Sequence, residues 1–270
     1  MYKLDDSQLI YLTIYELKLF APASVNGKNT LAYLDTAASQ ITVSNRIAKN
    51  LPQKGKMIAR SAFGEREFDT VSVRVKFLGT DIQDVEARIK KEDDPAPFRS
   101  DLTLDGNTLL SQPLIYDFHI LGLLPAELFA ADGEFTEEWT KIPSKFLDNG
   151  LCILEMKAND KILKAIFDTG AGLTVVNSAH GTENRLELKP EYEIEIHDAT
   201  GAKSKQVINS CMGLQIGKME IPPFDSFVSD LHDIEEALGE RIDLVFGANS
   251  MLKSGLRWFF DRETNKVFVN

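Results

Sequence analysis

Cysteine is scarce: only Cys152 and Cys211 occur in 270 residues, both in the second half. Two thiols cannot make a disulfide framework. The expectation is two free, buried thiols, with one disulfide as the alternative. Paired Cys-x-x-Cys and His-Glu-x-x-His spacings are missing. The four histidines (His119, His180, His197 and His232) are scattered, so no metal site is expected. Gly170-Ala171-Gly172 lacks the following Lys-Ser/Thr of a phosphate loop, and no cofactor is expected. No apolar run reaches membrane-spanning length, so no membrane partner is expected. Positive charge is in deficit, with 30 Lys and Arg against 41 Asp and Glu, a net charge of −11. Phosphate binding needs a basic surface, so nucleic acid is not an expected partner. The run Leu9–Tyr15 contains Thr13 and is followed by Glu16 and Lys18, a poor secretory signal. A cytoplasmic location is expected; export with the signal removed is the alternative.

What is present is enough for folding. Hydrophobic residues make up 43% and charged residues 26%, a globular balance rather than a disordered one. Strand-like segments dominate: Leu9–Phe20, Thr30–Leu34, Val71–Phe77, Val85–Ile89, Leu151–Met156, Ile162–Phe167, Tyr192–Ile196, Met219–Ile221 and Lys266–Val269. Several alternate apolar and polar residues, as strands with one wet face do. Helices are few and short: Asp233–Glu240, Pro125–Ala131, and a turn or two at Ser250–Lys253. The polar stretch Lys90–Gln112 reads as a loop or insertion.

The chain nearly repeats itself. Ala32-Tyr33-Leu34-Asp35-Thr36-Ala37-Ala38 matches Ala165-Ile166-Phe167-Asp168-Thr169-Gly170-Ala171, and a β-branched stretch follows each. The two aspartates lie 133 positions apart (168 − 35), close to half the chain. A carboxylate ending a buried strand is costly unless something satisfies it. Two in matching contexts point to a site built from both halves. Upstream, Leu19–Lys28 and Leu154–Lys161 both read as strand, tight turn, then the strand delivering the aspartate.

Asp168-Thr169-Gly170-Ala171 resembles the active-site motif of aspartic proteases, and its fourth-place Ala resembles the retroviral-type branch. The resemblance implies a mainly β fold: two related acid-protease-like β-barrel lobes with a central cleft, residues 1–142 and 143–270. It also implies two apolar residues plus Gly downstream of each aspartate. Leu244-Val245-Phe246-Gly247 followed by Met251-Leu252 fits the second lobe. His119-Ile120-Leu121-Gly122-Leu123-Leu124 is the first-lobe candidate. The separations are 79 (247 − 168) and 87 (122 − 35).

By the same resemblance, Asp35 and Asp168 are the catalytic pair of an endopeptidase acting on peptide or protein substrates. Two adjacent carboxyls cannot easily both ionise, so one keeps a proton while the other activates a water. Thr36 and Thr169 would exchange hydrogen bonds between the loops, and Gly170 would allow close backbone approach. Ala38 and Ala171 offer no hydroxyl to the charged form, which implies an optimum nearer weakly acidic to neutral pH. Hairpins around Phe63-Gly64 and Thr200-Gly201 are the candidate flaps; neither carries a Tyr. Both aspartates lie in one chain, so a monomer suffices for the site. Ala37 stands where the family has Gly, and its methyl is expected to crowd the substrate backbone or strain the loop. That departure leaves a second class open, a peptide-binding or scaffold relative without turnover.

Overall fold

Period-two alternation sets the strands. Val71, Val73, Val75 and Phe77 are buried, while Arg74 and Lys76 between them are exposed. The computed structural model describes residues 9–61, 64–90, 100–111, 113–125, 139–180, 186–197 and 203–270. These residues are mainly β with few short helices, arranged in sheets of eight, ten and six strands. No described helix is long and apolar enough to cross a membrane.

The eight- and ten-stranded sheets share one pattern. In the first half, Lys18–Val25 and Lys28–Leu34 form a hairpin, turned at Asn26 and Gly27, both left-handed at φ 49° and 75°. Such turns match the twist of the flanking strands. Lys28–Leu34 then pairs parallel with Leu102–Leu104. The sheet continues through Thr42–Val43, Thr80–Ile89, Gly64–Phe77 and Gln53–Ser61. In the second half, Cys152–Ala158 and Lys161–Asp168 make the hairpin. Leu244–Gly247 lies parallel to Lys161–Asp168, and Thr174–Asn177, Phe224–Ser229, Lys203–Met212 and Glu187–His197 follow. Corresponding neighbours run in the same relative directions. The second half adds Leu214–Ile216 and Met219–Glu220 as an extra hairpin.

The six-stranded sheet mixes the halves. Leu114–Asp117 pairs with Arg257–Asp261, and Thr140–Ile142 pairs with Lys266–Val269. On one face Leu114, Tyr116, Trp258 and Phe260 join the main core; on the other Ile115, Leu124 and Phe259 form a smaller cluster.

Several sequence expectations need correction. The single strand Leu9–Phe20 is Ile10–Tyr11, Thr13–Tyr15 and the start of Lys18–Val25. It breaks at Glu16 and Leu17, which turn through φ 47° and 60°. Pro125 ends the strand Gly122–Pro125 instead of starting a helix, and 126–131 lie outside the described residues. Lys90–Gln112 is not one polar loop: it contains the buried strand Leu102–Leu104 and the helix Gly106–Leu109. His119–Leu124 is not the partner of the first aspartate strand. It is a turn running into Gly122–Pro125, in the six-stranded sheet. The helix His232–Leu238 falls where one was expected, and Ala248–Ser254 makes a helix longer than the turn expected there.

Candidate active site

Each aspartate sits at the end of a strand whose neighbour runs parallel to it and leads into a helix. Asp35 N–H donates to Leu104 O at 3.0 Å. In the second half, Asp168 lies across from Gly247. The helices Gly106–Leu109 and Ala248–Ser254 then fasten the loops alike. Gly106 N–H donates to Ala38 O at 3.0 Å, and Ala248 N–H donates to Ala171 O at 2.7 Å. Close approach requires glycine beside both: a Cβ on Gly106 would overlap Thr36 O, and one on Gly247 would sit 2.8 Å from Ala171 O. The segment doing this in the first half is thus Leu102–Leu110. A signal for it exists in the sequence. Asp101-Leu-Thr-Leu-Asp-Gly-Asn-Thr-Leu-Leu110 aligns without gaps with Asp243-Leu-Val-Phe-Gly-Ala-Asn-Ser-Met-Leu252, sharing Asp101/Asp243, Leu102/Leu244, Asn107/Asn249 and Leu110/Leu252. The aspartate-to-cap separations become 70 (105 − 35) and 79 (247 − 168).

The loops interlock through their threonines. Thr36 N–H donates to Thr169 Oγ1 at 3.1 Å, and Thr169 N–H donates to Thr36 Oγ1 at 3.0 Å. Each hydroxyl in turn donates to the carbonyl before the opposite aspartate: Thr36 to Phe167 O at 2.8 Å, Thr169 to Leu34 O at 2.9 Å. Both threonines are fully buried. Removing either hydroxyl leaves a buried amide and a buried carbonyl unpaired, about 1–3 kcal/mol each. This lock fixes the spacing of the two carboxyls.

The lock brings the second loop against the first carboxyl at Gly170, two residues past Asp168, and the Asp35 charge acts on Asp168. Asp35 Oδ1 accepts from Ala37 N at 3.2 Å and Ala38 N at 2.8 Å. Asp168 Oδ1 accepts from Gly170 N at 2.7 Å and Ala171 N at 3.1 Å. A Cβ on Gly170 would overlap the Asp35 carboxyl, so glycine is required there by space. Burial pushes both carboxyls up. The Asp35 charge pushes Asp168 further; the loop amides pull both back, Gly170 and Ala171 on Asp168, Ala38 and Ala37 with Arg88 on Asp35. Two raised, adjacent carboxyls favour keeping one proton between them.

Three residues around the pair were not singled out from sequence. The Tyr33 hydroxyl donates to Gly170 O, tying the first strand to the second loop. Burial, then the two aspartates, raise it well above the usual phenol range, so it stays a donor. Asp105 caps the helix Gly106–Leu109 by accepting from Thr108 N at 3.0 Å, and burial raises its carboxyl. Lys18 places its ammonium 5.7 Å from the Tyr33 ring centroid.

Of the remaining predicted positions, Ala37 has no left-handed backbone. Its methyl packs against the cluster containing Leu151, Ile153 and Ile166. The expected strain is thus not found. Gly64 opens the strand Gly64–Phe77, paired with Ser61; Phe63, Thr200 and Gly201 lie outside the described residues. Hairpins Gln53–Ser61/Gly64–Phe77 and Glu187–His197/Lys203–Met212 exist where flaps were sought. Cys152 and Cys211 are free and buried, and burial raises both thiols, which disfavours thiolate chemistry. His180 pairs with Glu235 at 3.0 Å. Among the described residues no His, Cys, Asp or Glu group is arranged to hold a metal ion. No protein-family model matches the chain, and no curated protein matches it.

Proposed function

We propose that the chain is an aspartic endopeptidase, built as two related acid-protease-like β-barrel lobes whose cleft holds Asp35 and Asp168. The reading rests above all on one observation: two Asp-Thr loops locked by reciprocal threonine bonds, which bring the Asp168 loop at Gly170 against the Asp35 carboxyl. The duplicated strand order supports the two-lobe description.

In the proposed reaction a water held between the carboxyls is the nucleophile. The charged member, Asp35, takes a proton from the water as its oxygen attacks the peptide carbonyl. Asp168 gives its proton to the carbonyl oxygen, forming a neutral tetrahedral diol. Collapse of the diol returns a proton to the pair and delivers one to the leaving nitrogen. The backbone amides on each Oδ1 hold the carboxyls in orientation through both steps. The raised carboxyls set the operating range at weakly acidic to neutral pH, where the shared proton persists.

The test is cleavage of an unbiased peptide library at weakly acidic and neutral pH, read by mass spectrometry. Wild type should cut; Asp35→Asn and Asp168→Asn should each lose cleavage while staying folded, and the double variant should be no worse. Ala37→Gly should preserve or raise the rate. If wild type and Ala37→Gly both cut nothing, a peptide-binding relative without turnover becomes the better reading. Equal cleavage by Asp168→Asn would falsify the mechanism.

A further inference from the structure

The Tyr15–Lys18 end of the first sheet meets the second aspartate loop. Its turn, Glu16-Leu17, lies against Gly172, where an added Cβ would sit 3.6 Å from the Leu17 Cβ. Lys18 opens the next strand, two residues before Phe20, so their side chains share a face. Phe20 lies opposite Tyr33, with ring centroids 5.4 Å apart. Asp35 follows Tyr33 by two. One face of this hairpin therefore presents, in order, the Lys18 ammonium, the Tyr33 ring and the Asp35 carboxyl.

Lys18 is half-buried and has no ion-pair partner among the described residues. Glu16 and Asp35 are its nearest anionic influences, and neither is within ion-pair distance. Asp35 already accepts from two amides and lies beyond ion-pair distance, so it leaves the ammonium without a direct counter-ion. A partly desolvated ammonium gains most from an anion that arrives with its own charge and displaces the remaining water.

We infer that Lys18 is the anion-recognising residue of the substrate site, selecting peptides that place a carboxylate beside the scissile bond. The inference rests on the proposed peptide cleft and names its substrate class. An Asp or Glu side chain and a free C-terminus share the chemistry. A Lys or Arg at the same substrate position is rejected by like charge.

Three matched peptides separate the possibilities: an internal Glu with an amidated end, the same peptide with Gln, and the Gln peptide with a free C-terminal carboxylate. Cleavage is measured with wild type, Lys18→Arg, Lys18→Gln and Lys18→Glu. Binding of the same fluorescent peptides is measured on Asp168→Asn, with and without Lys18→Gln. A carboxylate peptide should be preferred by about tenfold in wild type and Lys18→Arg. The preference should vanish in Lys18→Gln and turn toward a Lys-containing peptide in Lys18→Glu. Whichever of the Glu or free-end peptides is preferred identifies the carboxylate source. Cleavage without a Lys18-dependent preference overturns this inference and leaves the protease reading standing. Lys18-dependent binding without cleavage does the reverse. Neither cleavage nor Lys18-dependent binding overturns both.

Discussion

At Asp168 the cost of the site can be read from the sign of its proton linkage. Burial and the neighbouring Asp35 raise this carboxyl in the folded state, so the native form binds its proton more tightly than the unfolded chain does. Such a group favours folding below its unfolded pKa, about 4, and that contribution is lost as pH rises towards the folded value. Asp168→Asn keeps an oxygen to accept from Gly170 and Ala171 and an amide to donate to Asp35, without the charge. It should therefore unfold at a higher temperature than wild type at neutral pH, and the gap should close below about pH 4. Scanning calorimetry of both proteins between acid and neutral pH measures this. A variant less stable than wild type at neutral pH would show that the charged pair contributes net stability. The trade runs the familiar way: the group proposed for chemistry is held in a form the fold would not choose.

At the scale of elements, the segment Leu102–Leu110 holds the first aspartate loop in place. Gly106 is its tightest point: an added methyl meets Thr36 O and, at 2.8 Å, Gly150 O. Both are backbone atoms from other segments, so neither can swing aside. Gly106→Ala should cost about 1–3 kcal/mol or more and displace Thr36 from its bonds to the second loop. Gly55, whose nearest neighbour would be Thr70 Oγ1 at 3.7 Å, is the control. Gly55→Ala should change stability by no more than about 0.5 kcal/mol. Urea unfolding of the two variants checks both, and equal midpoints would refute the packing argument. The same segment shows what the sequence made legible. Both aspartates, the two hairpins that deliver them and the strand–Gly247–helix unit were readable, because each is local and apolar patterning marks it; the threonine exchange, between residues 133 apart, came only from the family resemblance. Leu102–Leu104 was not, because three strand residues between a polar run and Asp105 carry no usable period. Gly122 drew the assignment instead, through an apolar-apolar-Gly match that folds as a turn and a strand of the six-stranded sheet. Comparison of whole ten-residue segments, with Asn107 set against Asn249 and Thr108 against Ser250, finds the true counterpart.

At the scale of the molecule, the halves are joined more deeply than one linker would join them. The six-stranded sheet places the second-half strands Arg257–Asp261 and Lys266–Val269 between first-half strands Leu114–Asp117 and Thr140–Ile142. Phe167, next to Asp168, packs on Trp258 at 5.3 Å and edge-on to Tyr116 at 6.1 Å between ring centroids. Arg262 binds Asn107 Oδ1 at 2.8 Å and Asp148 O at 3.1 Å, linking the final hairpin to the first-half helix and to the turn before the second half. The sheet's strand Lys266–Val269, and Ile10–Tyr11 within Leu9–Phe20, were read as strand in sequence; the sheet they join was not, since its other strands are short and its pairings span most of the chain. Its consequence is that one chain assembles both aspartate loops, and the Thr36–Thr169 bonds between them are intramolecular. In a site built between two copies, mixing Asp35→Asn with Asp168→Asn would regenerate one intact pair from two defective subunits. Here each defective chain carries its defect in its own pair. The mixture should therefore show no cleavage at any ratio. Wild-type activity should scale linearly with protein concentration down to the lowest measurable level, because no association step precedes the chemistry. Co-expression of the two variants, followed by the peptide-library assay and sedimentation at the assay concentration, measures both. Recovered cleavage would mean that the aspartate loops exchange between copies, and the closed single-chain interlock would have to open in solution.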